Sequence, residues 1–496
     1  MKLAALLNDH PGRAVPAWDA SFGDADITGL TADSREVSPG YLFAALPGAQ
    51  VDGRRFIPAA LSSGARAILS TPDVDTAATD AAETALITDP EPRQRLAWIA
   101  DRFFDAQPAK QVAVTGTNGK TSVASFVQQI WAAAGCMAAS MGTLGIRGPG
   151  VDRYGALTTP DPVSLHRDLA DLTAAGIDHL AIEASSHGLD QFRLDGLRLN
   201  AAGFTNLSRD HIDYHGTMAA YLASKLRLFT DLLSAGSTVV INADSDVYAE
   251  VRTCAEQAGL MIVTYGMAAE TGDIVLDGLA PTVDGQRLDL TVFGEPVTVA
   301  LPLAGDFQAW NALCALGLAL TSGVDLGTAI EALENLQGAP GRIELVGRRQ
   351  SGAAVYVDYA HTPDALETVL KALRPHVEGR LVVVFGCGGD RDAGKRPMMG
   401  AAARDRADTA YVTDDNPRSE APDAIRAAIM PACPDATEIG DRREAIHVAV
   451  AGLQPGDVLV IAGKGHEQGQ IVGDTVLPFD DATVARDAIS AAEGVA

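Results

Sequence analysis

The stretch Val114-Thr115-Gly116-Thr117-Asn118-Gly119-Lys120-Thr121 constrains the fold of this chain more than any other. An apolar run, Gln111–Thr115, leads into it and reads as a buried strand; a helical pattern follows from Lys120 to about Ala134. A strand, a glycine-rich turn and a helix form the opening of a βα unit. In that geometry the backbone N–H groups and the helix dipole face an anion. Lys120 is placed to reach the β and γ phosphates of a nucleotide, and the Thr121 hydroxyl to meet Mg²⁺. The strict phosphate-loop pattern has glycine where Val114 stands, so this is a shortened variant. The alternative is a glycine-rich turn with no ligand.

The alternation begun here continues. His179–Ala184, Ala201–Thr205 and Ser237–Asn242 read as further buried strands, with helices between them, notably Ala219–Ser234. Strands alternating with helices predict a mainly parallel sheet covered on both faces. Thr291–Leu301 is rich in β-formers and predicts an added antiparallel piece; helices are expected around Gln308–Leu320 and Gly327–Asn335. A second alternation follows the Gly338–Gly341 turn, with strands Ala354–Tyr359, Leu381–Gly386, Thr409–Thr413 and Val458–Ala462. It predicts a Rossmann-like, doubly wound domain. Ahead of all this, residues 1–108 read as a small mixed domain. Its expected strands are Tyr41–Leu46, Arg66–Ser70 and Ala85–Asp89, its expected helices Arg55–Ser63 and Pro92–Asp105, and Gln107-Pro108-Ala109 a linker. The chain of 496 residues suits about three domains. The expectation is an α/β protein divided at 1–108, 109–340 and 341–496.

Composition narrows the partners. A net charge of −26 argues against general affinity for nucleic acid or anionic membranes, so a phosphate site must be a local positive spot. The five cysteines, Cys136, Cys254, Cys314, Cys387 and Cys433, form no CxxC pair and suit a reducing compartment. The start, MKLAALLNDHPGR, turns polar too soon for a signal peptide, and no apolar run is long enough to span a membrane. A cytoplasmic protein without membrane insertion is expected.

Polar residues gather after the central strands. Glu183 ends a strand in AIEASSHG, where a carboxylate faces the ligand crevice and suits Mg²⁺; a charged strand terminus is the alternative. Thr205–Gly216, TNLSRDHIDYHG, is a dense polar run, and Lys225 follows in YLASK. Read alone, His211 is as readily a structural hydrogen-bonder and Lys225 a solvated helix lysine.

Together, TGTNGKT and TNLSRDHIDYHG resemble the Mur ligase superfamily, which also includes folylpolyglutamate synthetases. The resemblance runs from about Thr31 to Glu467. It implies ATP contacts from Gly116, Thr117, Asn118, Gly119, Lys120, Thr121 and Ser122, and from Asn311, Arg342, Asp358 and His361, with domain closure completing the site. It implies catalytic roles for Lys120, Glu183, His211 and Lys225. Thr121, Glu183, His211 and Lys225 become magnesium ligands, with Lys225 carbamylated to N6-carboxylysine.

Two segments point to a branch within the superfamily. Asp415-Asn416-Pro417-Arg418 matches the motif of members that use meso-diaminopimelate. The far carboxylate of that amino acid, which lysine lacks, is what a guanidinium can grip bidentately. A turn arginine after Asn-Pro is the alternative. Gly463 and Glu467, in GKGHE, are implied to hold the free amino-acid end, and Arg391, in GCGGDRD, to join Arg418.

The remaining contacts concern the acceptor. Thr158, Thr159, Ser185, Gln191 and Arg193 match acceptor-binding positions of the central domain, and Ala32, Ser34 and Gln50 a uridine-nucleotide site. The implied partners are ATP, a UDP-N-acetylmuramoyl dipeptide and meso-diaminopimelate, with Mg²⁺ as cofactor and a monomeric ligase. Two readings stay open beside it: the same chemistry with L-lysine, and a nucleotide-binding regulator without ligase activity.

Overall fold

The computed structural model describes residues 1–7, 15–48, 51–75, 77, 79, 83–155, 157–270, 272–282 and 284–494. Gln50, expected at the nucleotide site, lies outside them. The chain is an α/β protein that divides into two compact units. The first is Met1–Lys120, Trp131–Val263 and Leu318–Val324; the second is Thr121–Ile130, Thr264–Gly317 and Asp325–Ala496.

In the first unit, a small sheet runs in the order Ala17–Trp18, Ala85–Thr88, Ala67–Ser70, Tyr41–Ala44, Gly29–Thr31. The last four strands are parallel. The expected helix at Arg55–Ser63 is a 3₁₀ turn, Gly53–Phe56, passing into a short α-helix, Ile57–Ser62. The helix Pro92–Phe104 ends where Asp105 turns left-handed, at φ 47°.

A larger sheet of the same unit places Thr238–Asn242, Ala201–Phe204, Lys110–Thr115, His179–Glu183 and Ala138–Gly142 side by side, all parallel. Gly145–Gly148 and Val151–Arg153 extend it antiparallel. The parallel strands are buried on both faces, which is why they read as continuous apolar runs. Leu165, Leu169, Ile182, Phe204 and Phe229 sit in the core between sheet and helices. Because the strands are parallel, their carboxyl ends lie along one edge. The glycine-rich turn, Glu183 and the 205–216 run all follow such ends and so fall at the same edge.

In the second unit, Ile274–Thr282, Gly285–Val292 and Glu295–Leu301 form an antiparallel ribbon. The run expected at Thr291–Leu301 is thus the end of one strand, a turn at Phe293-Gly294 and the whole of the next. A six-stranded sheet follows, ordered Glu344–Arg348, Ala354–Asp358, Val458–Ala462, Leu381–Phe385, Thr409–Val412, Thr437–Glu438. Its first strand is antiparallel and the rest parallel. A hairpin, Gly469–Val472 with Thr475–Pro478, stands apart from that sheet. No described helix is long and apolar enough to cross a membrane.

Candidate active site

In the first unit the glycine-rich turn folds onto the 205–208 segment. Gly116 has φ 145°, and a side chain there would collide with Thr205 Oγ1. The Thr117 N–H donates to the Asn206 carbonyl at 2.8 Å, and the Asn118 N–H to Asn206 Oδ1 at 3.0 Å. Asn206 thus takes two of the turn's amides, and those of Thr117 and Asn118 are engaged within the protein. Lys120 curls back, its Nζ donating to the carbonyls of Gly116 and Thr117 at 2.9 and 2.8 Å.

Lys225 reaches the same turn. It is 1% exposed, donates to the Gly116 carbonyl at 2.7 Å and lies 4.4 Å from the centre of the Tyr221 ring. Burial, assisted by the charge of Lys120 and opposed by Asp210, pulls its pKa down to about 6. It is no solvated helix lysine. At neutral pH it is largely an uncharged amine, the form that reacts with carbon dioxide to give a carbamate.

Glu183 is buried at its strand end. Its carboxylate accepts from the Thr143 N–H at 2.8 Å and the Thr143 hydroxyl at 3.1 Å. Gly142 makes room for it, because any side chain there would meet the carboxylate. Thr143 hydroxyl also pairs with that of Thr158 at 3.0 Å. Thr159 Oγ1 donates to the Glu183 carbonyl at 2.9 Å, pairs with the Ser185 hydroxyl and accepts from the Ser185 N–H. Arg193 donates to the Thr159 carbonyl at 2.7 Å and to Gln191 Oε1 at 2.8 Å, and Gln191 donates to the Tyr214 hydroxyl. Thr158, Thr159, Ser185, Gln191 and Arg193 therefore form one connected network around Glu183. His211 stands edge-on to His187, with ring centres 4.8 Å apart, and His187 also packs on Tyr214 and His215. Thr143 escaped the sequence reading, and His187 and Tyr214, inside the quoted AIEASSHG and TNLSRDHIDYHG, were given no role there.

Among the described residues, no three His, Cys, Asp or Glu side chains converge as a metal cage. Magnesium fits this donor set nonetheless. It is held by one or two carboxylates together with ligand phosphates rather than by closed protein cages. Glu183 is such a carboxylate, and a carboxylated Lys225 would add a second anionic oxygen donor.

Ala32 and Ser34 line a cavity of about 520 Å³ with Leu46, Gly48, Val51, Gly53, Phe56 and Arg93. Asp33 caps the turn that carries Ser34 by accepting from the Arg35 N–H.

In the second unit, Thr121 and Ser122 are buried in the first turn of the helix Lys120–Ala133. Asn311, on the helix Asp306–Thr321, donates to Gln308 Oε1 at 2.9 Å, and Gln308 donates to the Arg342 carbonyl. Asp358 accepts from the N–H groups of Ile343 and Ala360 at 2.8 and 2.7 Å; burial nevertheless raises its pKa, against the pull of Arg342. The Arg342 guanidinium lies 4.9 Å from the centre of the Tyr359 ring, and the His361 ring packs on that same tyrosine at 4.6 Å. Asn311 and Arg342 are thereby linked through Gln308, and Arg342 and His361 through Tyr359, while Asp358 is held by the backbone next to Arg342.

A second cluster gathers the 415–418 and 463–467 loops. Asn416 donates to Glu467 Oε2 at 2.9 Å, and its Oδ1 accepts from Lys464 Nζ at 3.0 Å and from the Ile471 N–H. Lys464 is fully buried and also pairs with Glu467 at 3.0 Å. A side chain at Gly463 would come within 2.6 Å of the Asp415 carboxylate. Arg418 sits at φ 52° after Pro417, its guanidinium donating to the Gly389 carbonyl at 2.8 Å. Arg391 is exposed on the same 388–391 turn, and its charge and that of Arg418 both act on Asp390. Beneath, the buried Arg442 ties both loops, donating to the Ala462 and Asp414 carbonyls and to Asp481. Lys464 and Arg442 are further residues that sequence reasoning missed. Lys464 stood inside the quoted GKGHE, but nothing in sequence shows a lysine to be fully buried.

The chain as a whole is similar to known proteins. Three family models match: Mur ligase family, catalytic domain, over residues 26–104; Mur ligase middle domain, over 114–319; and Mur ligase, glutamate ligase domain, over 341–465. The chain is 53% identical over 486 residues to the UDP-N-acetylmuramoyl-L-alanyl-D-glutamate–2,6-diaminopimelate ligase of Bradyrhizobium diazoefficiens, covering 97% of each. It is 53% identical over 488 residues to the protein of that name from Rhizobium meliloti, covering 97% of this chain and 99% of that one. A solved structure of a ligase of the same name aligns with a TM-score of 0.74 at 36% identity, over 99% of this chain and 100% of that chain. MurF from Thermotoga maritima, in complex with ADP, shares the fold at a TM-score of 0.60 and 19% identity, over 94% and 98% of the two chains. This chain belongs to the Mur ligase family.

Proposed function

We propose that this chain is an ATP-dependent ligase that joins meso-2,6-diaminopimelate to the D-glutamate γ-carboxylate of UDP-N-acetylmuramoyl-L-alanyl-D-glutamate, in the cytoplasm, during assembly of peptidoglycan precursors. The observation that carries the choice of amino acid is the cluster of Asn416, Arg418, Gly463, Lys464 and Glu467. It offers a guanidinium for one carboxylate and a polar, partly buried cradle for an amino-acid end. The near full-length identity to relatives of that name supports the same reading.

The division into an acceptor-binding region, 1–108, a central ATP-binding region, 109–340, and an amino-acid-binding region, 341–496, belongs to this proposal. So do the site assignments. Ala32, Ser34 and Gln50 would hold the nucleotide end of the acceptor, and Thr158, Thr159, Ser185, Gln191 and Arg193 its peptide end. ATP would lie against residues 116–122, Asn311, Arg342, Asp358 and His361.

The acceptor γ-carboxylate attacks the γ-phosphorus of ATP; ADP leaves and an acyl phosphate forms. The diaminopimelate amine then attacks the acyl carbon, and the tetrahedral adduct expels phosphate to leave the amide. No side-chain nucleophile is needed, so catalysis rests on alignment of the substrates and on charge. Magnesium, held by Thr121, Glu183, His211 and carboxylated Lys225, would supply charge neutralisation at the phosphates. Lys120 offers its ammonium to the same phosphates, Thr143 holds Glu183 in place, and the Gln191–Arg193 pair orients the acceptor peptide.

The test is ATP-dependent product formation from UDP-N-acetylmuramoyl-L-alanyl-D-glutamate with diaminopimelate and L-lysine offered in parallel. Incorporation of diaminopimelate alone is expected. Incorporation of lysine alone overturns the specificity, and no product with either overturns the activity.

A further inference from the structure

The arginines around the first unit's cavity are not equivalent. Arg35 forms a bidentate pair with Asp33, with contacts down to 2.5 Å. Arg54 is paired with Asp52 at 2.7 Å and Asp73 at 2.8 Å. Arg95 is buried against Asp89 at 2.7 Å. Arg93, two residues earlier on the helix Pro92–Phe104, differs. It lines the cavity, is half-buried, and has no carboxylate partner among the described residues. Among the described residues its one hydrogen bond runs from Nη2 to the Pro47 carbonyl at 2.7 Å, a neutral anchor that fixes the guanidinium without supplying a counter-charge. In a chain of net charge −26, with its neighbours neutralised, such a cation marks the place of an anion.

Its position says which part of a ligand that anion is. Burial lowers the pKa of Arg193, Asp161 opposes this, and the charge of Arg93 adds to the lowering. Arg93 also acts on Tyr214, the hydroxyl that Gln191 contacts. Arg93 therefore lines the cavity, and its charge is felt at Arg193 and Tyr214 of the neighbouring network.

We propose that Arg93 grips the diphosphate of the nucleotide-linked acceptor, fixing the register between a nucleoside in the cavity and a peptide at Arg193. The proposal rests on the acceptor reading above. A guanidinium held at one nitrogen still presents N–H donors in a planar fork suited to phosphate oxygens.

The experiment is calorimetric binding of uridine, UMP and UDP to the full chain and to Arg93→Gln and Arg93→Lys, with thermal melts as a check on folding. Wild type should bind UDP more tightly than uridine. Arg93→Gln should lose about ten- to a hundredfold for UDP and little for uridine, and Arg93→Lys should recover part of the loss. In turnover, Arg93→Gln should raise the KM for the UDP-linked acceptor and leave the KM values for ATP and diaminopimelate unchanged. If the variants bind UDP as wild type does, or lose uridine and UDP equally, the assignment to Arg93 is wrong. If wild type itself binds neither UDP nor the acceptor, the acceptor reading fails and the proposal with it.

Discussion

Two side chains state the chemistry most sharply. Arg418 is held at a positive φ by the 471–473 segment, its N–H bound to the Ile471 carbonyl and its own carbonyl to the Gly473 N–H. That backbone clamp fixes the guanidinium beside Gly389 without a carboxylate partner among the described residues. Arg418→Ala should therefore raise the KM for diaminopimelate by tenfold or more, about the worth of one charge-assisted contact, with the KM for ATP unchanged. Arg418→Lys should recover little, because an ammonium cannot make the planar double contact. Steady-state kinetics varying each substrate in turn will decide; an unchanged KM removes this arginine from the specificity. Lys225 makes the second case. A lysine this buried, with Lys120 beside it, is poorly suited to remain an ammonium. Lys225→Ala should abolish turnover, and small carboxylic acids should restore part of it by standing in for the carbamate. A variant that keeps full activity ends the carbamate reading.

At the scale of elements, what could be read in the sequence followed from chain chemistry. Lys110–Thr115, His179–Glu183, Leu381–Phe385 and Val458–Ala462 are buried on both faces, and their apolar runs announced them. Ala138–Gly142, a central strand, did not show itself: AASMG has no β-branched or aromatic residue and is a strand because of what it packs between. Its loss from view hid Thr143, and with it the group that positions Glu183. The ribbon from Ile274 to Leu301 was half seen, since Asp277, Gly278, Pro281 and Thr282 dilute its first strand. The glycine-rich turn was read correctly as an element but not in its hydrogen bonds, because Asn206 lies 88 residues from Asn118. The turn carries its own prediction. Gly116→Ala meets both the backbone conformation and Thr205 Oγ1, so it should cost about 1–3 kcal/mol of stability. It should also weaken nucleotide binding at least tenfold, as measured by fluorescence titration with a labelled ATP analogue. A variant that melts and binds as wild type does would show that the turn tolerates a side chain here.

For the whole molecule, composition set bounds and the structure filled them. The charge of −26 argued for local cations rather than a basic face; in the function proposed above, that part falls to Lys120, Arg93 and Arg418. What sequence could not supply was the grouping of the chain. Residues 1–108 share a compact unit with most of the segment that carries Glu183, His211 and Lys225, while Asn311 and Arg342 share one with Asn416 and Arg418. The grouping makes a thermodynamic prediction. A ligand stabilises only what it binds, by about 2.7 kcal/mol at a hundred times its Kd. For units of this size that is a shift of roughly 5–10 °C. Proteins of several units commonly unfold in more than one step. Scanning calorimetry of the full chain should therefore show two transitions. UDP should raise the one belonging to the unit with Ser34 and Arg93, and diaminopimelate the one belonging to the unit with Asn416 and Arg418. Arg418→Ala should abolish the second shift and leave the first intact. If UDP and diaminopimelate both move the same transition, or if Arg418→Ala removes the response to UDP, the assignment of acceptor nucleotide and amino acid to separate units is wrong.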